Sequence, residues 1–465
     1  MPSTWSRKAG ASPADSRQEI AAFFLTTPDK RHLLERQPDL PLAAEAPSGA
    51  LTITLDPGKT YQRMEGFGAA MTESSAWLIW TKLPVAQRDA LMRKLFDPVD
   101  GIGLSYLRLP MGASDFALQS YTYDDMPPGQ SDAALAHFSI DHDRETILPA
   151  LQKARSINPA LKIMATPWSA PAWMKTSGAL NSGRLRPEAY EVYARYFVKF
   201  LQAYADAGIS IDAVSPQNEP HHEPAGYPCM RMDANEEAAF IRHLGPLLAS
   251  AGMKTQILIW DHNWDEPAYP LAILADPAAR RYVAGTAFHG YAGSVDAQSK
   301  VHDAYPEKGI YFTECSGGEW APDFGGSLKW NAHTLLIGAV RNWAKTVLLW
   351  NLALDDKHGP QNGGCTNCRG VVTITPVSAG IEYNVEYYVL GHAAKFVPPG
   401  SMRIESNTFP QQGLEDVAFK NPDGSLTAIV LNGSDGKQSV TIRALDNAFA
   451  TTLPAGALAT FHWHP

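Results

Sequence analysis

The chain has 465 residues, 45% of them hydrophobic and 19% charged, so a large core is available and global disorder is excluded. Its 39 basic and 48 acidic residues leave a formal net charge of −9, which argues against a nucleic acid or an anionic membrane surface as partner. The length suits a barrel of about 250 residues or more plus a second unit, and no apolar run approaches the roughly 20 residues that a membrane helix requires.

Met1 to Arg17 is polar, and the apolar run Ile20–Leu25 is too short and too far in to be a signal core. The chain is therefore expected to be secreted or periplasmic with a signal peptide removed, or else cytoplasmic. Residues 1–50 are rich in Pro, Ala and Ser, with one short strand near Phe23–Thr27. Leu51–Leu55 alternates apolar and polar residues and meets Pro57-Gly58, a strand followed by a turn. From Gly66 onward, short apolar runs alternate with amphipathic helical stretches, the pattern of parallel βα units. Eight strands are predicted: 66–71, 104–110, 161–167, 213–218, 256–261, 283–289, 309–314 and 346–351. Helices are predicted at 84–96, 144–157, 187–207, 236–251 and 328–343. Asp141 or Asp143 is placed to cap the second of these, and Pro187 to start the third. The stretch after the fifth strand is interrupted by Pro267, Pro270 and Pro277. A last helix at 384–396 ends before the break Pro398-Pro399-Gly400. Six short alternating strands then follow, at 402–406, 415–420, 426–431, 439–443, 448–453 and 457–463. The fold expected is α/β: a (β/α)8 TIM barrel over residues 65–398 with an attached β-sandwich. Residues 399–465 and strands from residues 1–64 would form that sandwich.

Two barrel strands end on glutamate. In Ser215-Pro216-Gln217-Asn218-Glu219-Pro220, the proline biases Glu219 towards an extended backbone and ends the strand at its carboxylate. The run Gly309–Glu314 stops on a second glutamate with the glycine-rich Cys315–Gly318 behind it. A barrel of this kind keeps its chemistry at the C-terminal strand ends. Two carboxylates there suit glycosidic-bond hydrolysis, one to protonate the leaving oxygen and one to attack or to activate water. Either glutamate alone would read as an ordinary surface residue; the pairing, the strand context and the Asn-Glu-Pro triplet reverse that. Other strand ends carry Asp115, Trp168, His289, Tyr291 and Trp350, polar groups to orient hydroxyls and aromatic faces to receive a sugar ring. Arg108 reads as the partner of a neighbouring acid. His221 and His222 lack a third convergent ligand, and no metal or other cofactor is expected. Cys365 and Cys368 form a C-x-x-C without a second pair, which favours a local disulfide over a metal site.

The motifs Gly66-Phe67-Gly68-Ala69-Ala70-Met71-Thr72, Arg108-Leu109-Pro110-Met111, Tyr121-Thr122-Tyr123, Pro167-Trp168-Ser169-Ala170-Pro171, Asn218-Glu219-Pro220 and Trp350-Asn351-Leu352-Ala353-Leu354 occur in that order. With them the chain, from about residue 51 to its end, resembles glycoside hydrolase family 30. The resemblance implies a retaining β-glycosidase in which Glu219 is the acid/base, Glu314 the nucleophile and Asn218 the ligand of the sugar 2-hydroxyl. Asp115, Trp168 and Trp350 would hold the other hydroxyls together with His289, and Tyr291 would sit beside the nucleophile. In such a pair the nucleophile's charge raises the pKa of the acid, so Glu219 is expected protonated and Glu314 ionised, with Tyr291 donating to Glu314. The loop Gly363–Gly370 is similar to the microbial β-glucosidase and β-1,6-glucanase branches rather than to the lysosomal glucosylceramidase. The expected activity is hydrolysis of β-D-glucosidic bonds by double displacement, on a β-glucoside, a glucan oligosaccharide or a glycolipid. The alternatives are a β-xylosidase or xylanase of the same family and, in a different class, a non-catalytic carbohydrate-binding protein.

Overall fold

The computed structural model describes residues 20–44 and 51–465; the polar segment Met1–Arg17 lies outside them. Three strands open the described chain: β1 (Ile20–Thr26), β2 (Glu35–Pro41) and β3 (Leu51–Arg63). The sequence does not signal β2, which is largely polar and contains Pro38. It forms one edge of its sheet, where a proline costs no ladder bond. The turn expected at Pro57-Gly58 does not end β3. Its first part pairs in parallel with a C-terminal strand at Val440–Ala444, and the rest pairs antiparallel with the strand at Met402–Ser406, across a register shift. The change of partner takes place around the Pro-Gly step, so the strand bends there instead of stopping.

The barrel follows: β4 (Gly66–Ala70), β5 (Tyr106–Pro110), β6 (Lys162–Thr166), β7 (Ala213–Val214), β8 (Gln256–Asn263), β9 (Val283–His289), β10 (Gly309–Glu314) and β11 (Ala344–Leu349). All eight neighbours pair in parallel and the ring closes with Thr346 of β11 against Gly66 of β4. One buried cluster, Tyr106, Met164, Ala213, Leu258, Ala287, Tyr311 and Leu348, takes one residue from each of seven strands and fills the barrel interior. A larger cluster fills the layer between strands and helices.

The helices mostly stand where the periodicity places them, with informative differences. The helix Ala234–Ser250 is fixed by a capping box between Asp233 and Glu236. Tyr190–Asp206 follows a 3-10 turn opened by Pro187. Neither Asp141 nor Asp143 caps Ile147–Ile157; both belong to a separate 3-10 turn before it. Asp143 is buried and accepts hydrogen bonds from the hydroxyls of Tyr121, Tyr123 and Tyr204. Long-range satisfaction of a buried carboxylate has displaced a local cap. The last predicted inter-strand helix starts early, at Phe324, and passes through a π-helical segment, Asn331–Gly338.

The sandwich is completed by β12 (Met402–Ser406), β13 (Leu414–Lys420), β14 (Leu426–Asn432), β15 (Gln438–Ala444), β16 (Asn447–Leu453) and β17 (Leu458–Trp463). The ladder runs β2-β1-β17-β14-β13-β12-β3-β15-β16. A bridge between Ala43 and Ala448 brings its two outer strands together, so the ladder folds over one core containing Phe23, Ile53, Ile442, Phe449 and Phe461. Polar anchors lock this unit to the barrel. His392, on the helix Val385–Ala394, bonds the hydroxyls of Thr26 and Thr460 at 2.8 and 2.9 Å. Burial pushes its pKa down to about 3, so it stays neutral. Arg341 reaches Asp416 at 3.1 Å and Ser406 at 2.9 Å.

Candidate active site

At the C-terminal mouth of the barrel, five segments converge on one buried carboxylate. Asp261, at the end of β8, is fully buried and accepts from Arg108 (2.7 Å), Ser215 (2.7 Å), Thr166 (3.1 Å), Thr313 (2.7 Å) and His289 Nε2 (3.0 Å). Burial alone would raise its pKa, but the Arg108 guanidinium and His289 outweigh that and hold it well below the usual carboxylate range. Arg108 in turn spans the site. One of its amino groups donates to Glu314 Oε2, and the other to Asp261 and to Asn218 Oδ1 at 2.8 Å. The expectation that Arg108 pairs with a neighbouring acid agrees with this; it pairs with two.

Glu219 and Glu314 both face this network. Glu314 accepts from Arg108 and from the Tyr291 hydroxyl at 2.9 Å. His289 Nδ1 lies 2.9 Å from Glu219 Oε1 and 3.8 Å from Glu314 Oε1, so the two carboxylates flank a single ring nitrogen. That keeps them near or below the lower edge of the roughly 6.5–9.5 Å separation of inverting pairs, in keeping with a retaining pair at about 5–5.5 Å. The backbone at Glu219 is not extended: its φ is 44°, in the left-handed region. The bias from Pro220 is overridden because the Glu219 N–H is held by Asp261 O at 3.1 Å and the Asn218 N–H by Pro167 O at 2.9 Å. These loop bonds also explain why β7 is only two residues long. Trp260, Asp261 and Asn351 at neighbouring strand ends have positive φ as well, a concentration of costly backbone typical of a working site.

The ionisation pattern differs from the simple expectation. Burial favours a neutral His289, but the carboxylates of Glu314, Asp261 and Glu219 raise its pKa to about 9. Burial would likewise raise Glu219, yet His262, 3.5 Å away, and the hydrogen-bonded His289 hold it low. Glu314 is raised by its burial and by the charge of Glu219, against the pull of His289 and Arg108. A raised pKa on His289 beside a lowered one on Glu219 favours the imidazole as the seat of that pair's proton. The 2.9 Å hydrogen bond between them is the path by which that proton can reach Glu219. Both nitrogens of His289 are engaged by carboxylates, Nδ1 by Glu219 and Nε2 by Asp261, so the ring is held between them.

The cleft above these groups has a volume of about 340 Å³. Asp115, Glu219, Tyr291, Glu314 and Trp350 line it, as sequence reasoning proposes. Asp115 Oδ1 is buried without a protein partner, an acceptor open to a hydroxyl, and burial with the nearby Glu314 and Glu219 raises its pKa well above the ordinary value. Trp168 stacks on Trp350 at 5.0 Å, both rings are 3% exposed, and of the two Trp350 lines the cleft. Asn218 is also buried, held by Arg108. Sequence reasoning missed Asp261, His262, Asn263, Tyr227 and Trp320. A signal for the first three existed in the polar run Asp261-His262-Asn263, which closes an otherwise apolar strand.

The loop after β11 closes one side. Its Cys365–Cys368 disulfide lies on the cleft wall. At Gly363 (φ 78°) it crosses the loop that follows Glu219, where an added Cβ would meet Gly226 O at 2.1 Å, so only glycine permits the approach. His222, on that second loop, bonds the Tyr227 hydroxyl at 3.1 Å, whereas His221 pairs with Glu266 and Asp233. The two histidines do not converge on a metal site. Glu219, His262 and His289 do bring one ligand atom each to within 4.8 Å of one another. The Glu219–His289 contact, however, has hydrogen-bond length, shorter than two ligands of a tetrahedral zinc would stand. No helix among the described residues is long and apolar enough to cross a membrane.

A fold of this kind, with two carboxylates over a charged network at the barrel mouth, defines a glycoside hydrolase. Residues 64–397 match the glycosyl hydrolase family 30 TIM-barrel domain and residues 400–461 the family's β-sandwich domain, so the chain belongs to glycosyl hydrolase family 30 and is a retaining β-glycosidase. It is 36% identical over 411 residues to an endo-1,6-β-D-glucanase of Aspergillus fumigatus, covering 82% of this chain and 81% of that one. The lysosomal acid glucosylceramidase of Mus musculus is 32% identical over 441 residues, covering 89% and 83%. Among solved structures, the endo-β1,6-glucanase BT3312 superposes with a TM-score of 0.91 at 34% identity, covering 96% of this chain and 99% of that one.

Proposed function

We propose that the protein hydrolyses β-1,6-linked glucan chains by double displacement, with Glu314 as nucleophile and Glu219 as acid/base. The observation that carries this is the pair of carboxylates flanking His289 Nδ1, one held by Arg108 and Tyr291 and the other hydrogen-bonded to that nitrogen. Glu314 attacks the anomeric carbon while Glu219, protonated from His289, gives its proton to the departing glycosidic oxygen. A glycosyl ester on Glu314 forms. Glu219, now ionised, takes a proton from water, which attacks the ester and releases the sugar with retained configuration. Asp115 Oδ1 and the face of Trp350 receive the glucosyl ring. The leaving-group side argues for a sugar over a ceramide: His222, Tyr227, His262 and Asn263 present polar atoms around Glu219. The relatives named for 1,6-glucan cleavage support the same choice.

Incubating the enzyme with β-1,6-glucan, laminarin, xylan and glucosylceramide tests the reading. Release of gluco-oligosaccharides from β-1,6-glucan is expected to be the fastest reaction; a faster rate on glucosylceramide or xylan would replace the proposed substrate. Glu219→Ala tests the role of the acid/base. On a dinitrophenyl β-glucoside, whose leaving group needs little protonation, the first step should survive and the glycosyl-enzyme should accumulate. Azide, replacing the water that Glu219 no longer activates, should then restore turnover. Equal damage on activated and unactivated substrates, without azide rescue, would remove Glu219 from that role.

A further inference from the structure

Among the described residues, only three aromatic side chains stand out as exposed: Tyr291 at 45%, Trp320 at 55% and Trp330 at 43%. All three line one cavity of about 410 Å³ that adjoins the catalytic cleft. Tyr291 and Trp320 belong to both cavities, so the two are continuous across these rings. The Tyr291 hydroxyl turns inward to Glu314 while its ring remains open to solvent. The position of Trp320 is set by Gly318, where an added Cβ would meet the indole at 2.0 Å. Trp330 stands at the end of the helix Phe324–Trp330, whose start is capped by Asp323 at 2.6 Å.

We propose that this second cavity is a further sugar-binding subsite, holding a glucosyl residue of the same chain whose bond is cut between Glu219 and Glu314. The inference rests on the glucan reading above and extends it. Aromatic faces at the rim suit the C–H faces of a pyranose. Beneath them lie the Arg369–Glu386 ion pair, joined at 2.8 Å, and the side chains of Ser327 and Asn331. Arg369 keeps 14% of its side chain exposed there, a donor that sugar hydroxyls can use and a lipid tail would leave unpaired. Continuity with the cleft identifies the occupant as the rest of the substrate, because a chain leaving the catalytic centre past Tyr291 and Trp320 enters this space. None of the proposed catalytic groups lies beyond Trp320, so Trp330 acts on binding alone.

The test uses the inert variant Glu314→Gln and β-linked gluco-oligosaccharides of increasing length. Affinity should rise with length, and Trp330→Ala on the same background should flatten that rise, a loss of about tenfold for the longer ligands. In the active enzyme, Trp330→Ala should raise KM for the polymer by a similar factor and leave kcat/KM on an aryl β-glucoside unchanged, which also shows that the variant is folded. Trp330→Phe should restore most of the loss. Affinity independent of length in Glu314→Gln, or equal kinetics of Trp330→Ala and wild type on polymer and aryl glucoside, would overturn the subsite. Length-dependent binding without any cleavage of glucan by the wild type would instead overturn the proposed function and leave the subsite standing.

Discussion

Replacing Glu314 by glutamine is expected to lower kcat/KM on any β-glucoside by a factor on the order of 10⁴ or more, because an amide cannot form the glycosyl ester. The substitution is close to isosteric. Its carbonyl oxygen can still accept from Tyr291, but its amide nitrogen would face the Arg108 guanidinium, donor against donor. Some loss of thermal stability should accompany the loss of turnover, and a melting curve separates the two. A folded variant with activity within about tenfold of wild type would refute the assignment of Glu314 as nucleophile.

Deleting residues 401–465 is expected to yield an insoluble product even though every group in the catalytic cleft lies before residue 400. Removal of β12 and β15 leaves β3 without either partner, and removal of β17 strips β1 of its neighbour on one side. It also uncovers Ile53 and Leu55, and it leaves Arg341 without Asp416 and Ser406. His392 loses Thr460 and keeps only one of its two hydroxyl partners, in a helix packed against the barrel strand β4. Exposed strand edges and apolar faces of this kind drive aggregation. Expression of the truncated chain with a solubility and activity assay is the check. A soluble, monomeric, fully active fragment would show that the sandwich is an independent module and that the division proposed at residue 399 separates two self-sufficient units.

Much of the architecture was legible because its signals are local. Buried parallel strands need continuous apolar runs, and the runs before Glu219 and Glu314 stop on carboxylates within a few residues of a proline or a glycine cluster. In the C-terminal strands alternate residues enter the sandwich core, and in β13, β14 and β17 the opposite face packs into the barrel-side core through Val417, Phe419, Ile429, Leu431 and Leu458. The strand β2 was missed for the converse reason: an edge strand of charged residues and proline carries no burial pattern of its own. The bend in β3 was read as a stop because a Pro-Gly pair marks a turn wherever the chain has no second partner waiting.

The sequence alone determines which residue types stand at the strand ends, and with them the two carboxylates, Asp115, Tyr291 and Trp350 around one cleft. Only the tertiary structure decides what those residues do to one another. The local mark of Asp261 is only a polar run at a strand end, yet it collects Arg108 from 153 positions away and Thr313 from 52 positions on, and it holds the far nitrogen of His289. The pKa of His289 is raised because three acidic side chains, Glu219, Asp261 and Glu314, all from other segments, meet that imidazole in space. Proline's preference for an extended neighbour fails at Glu219 for a related reason, since a backbone bond to Asp261 outweighs a local bias. Hydrogen bonds and charges act through distance in three dimensions, and that distance is set only when the barrel closes.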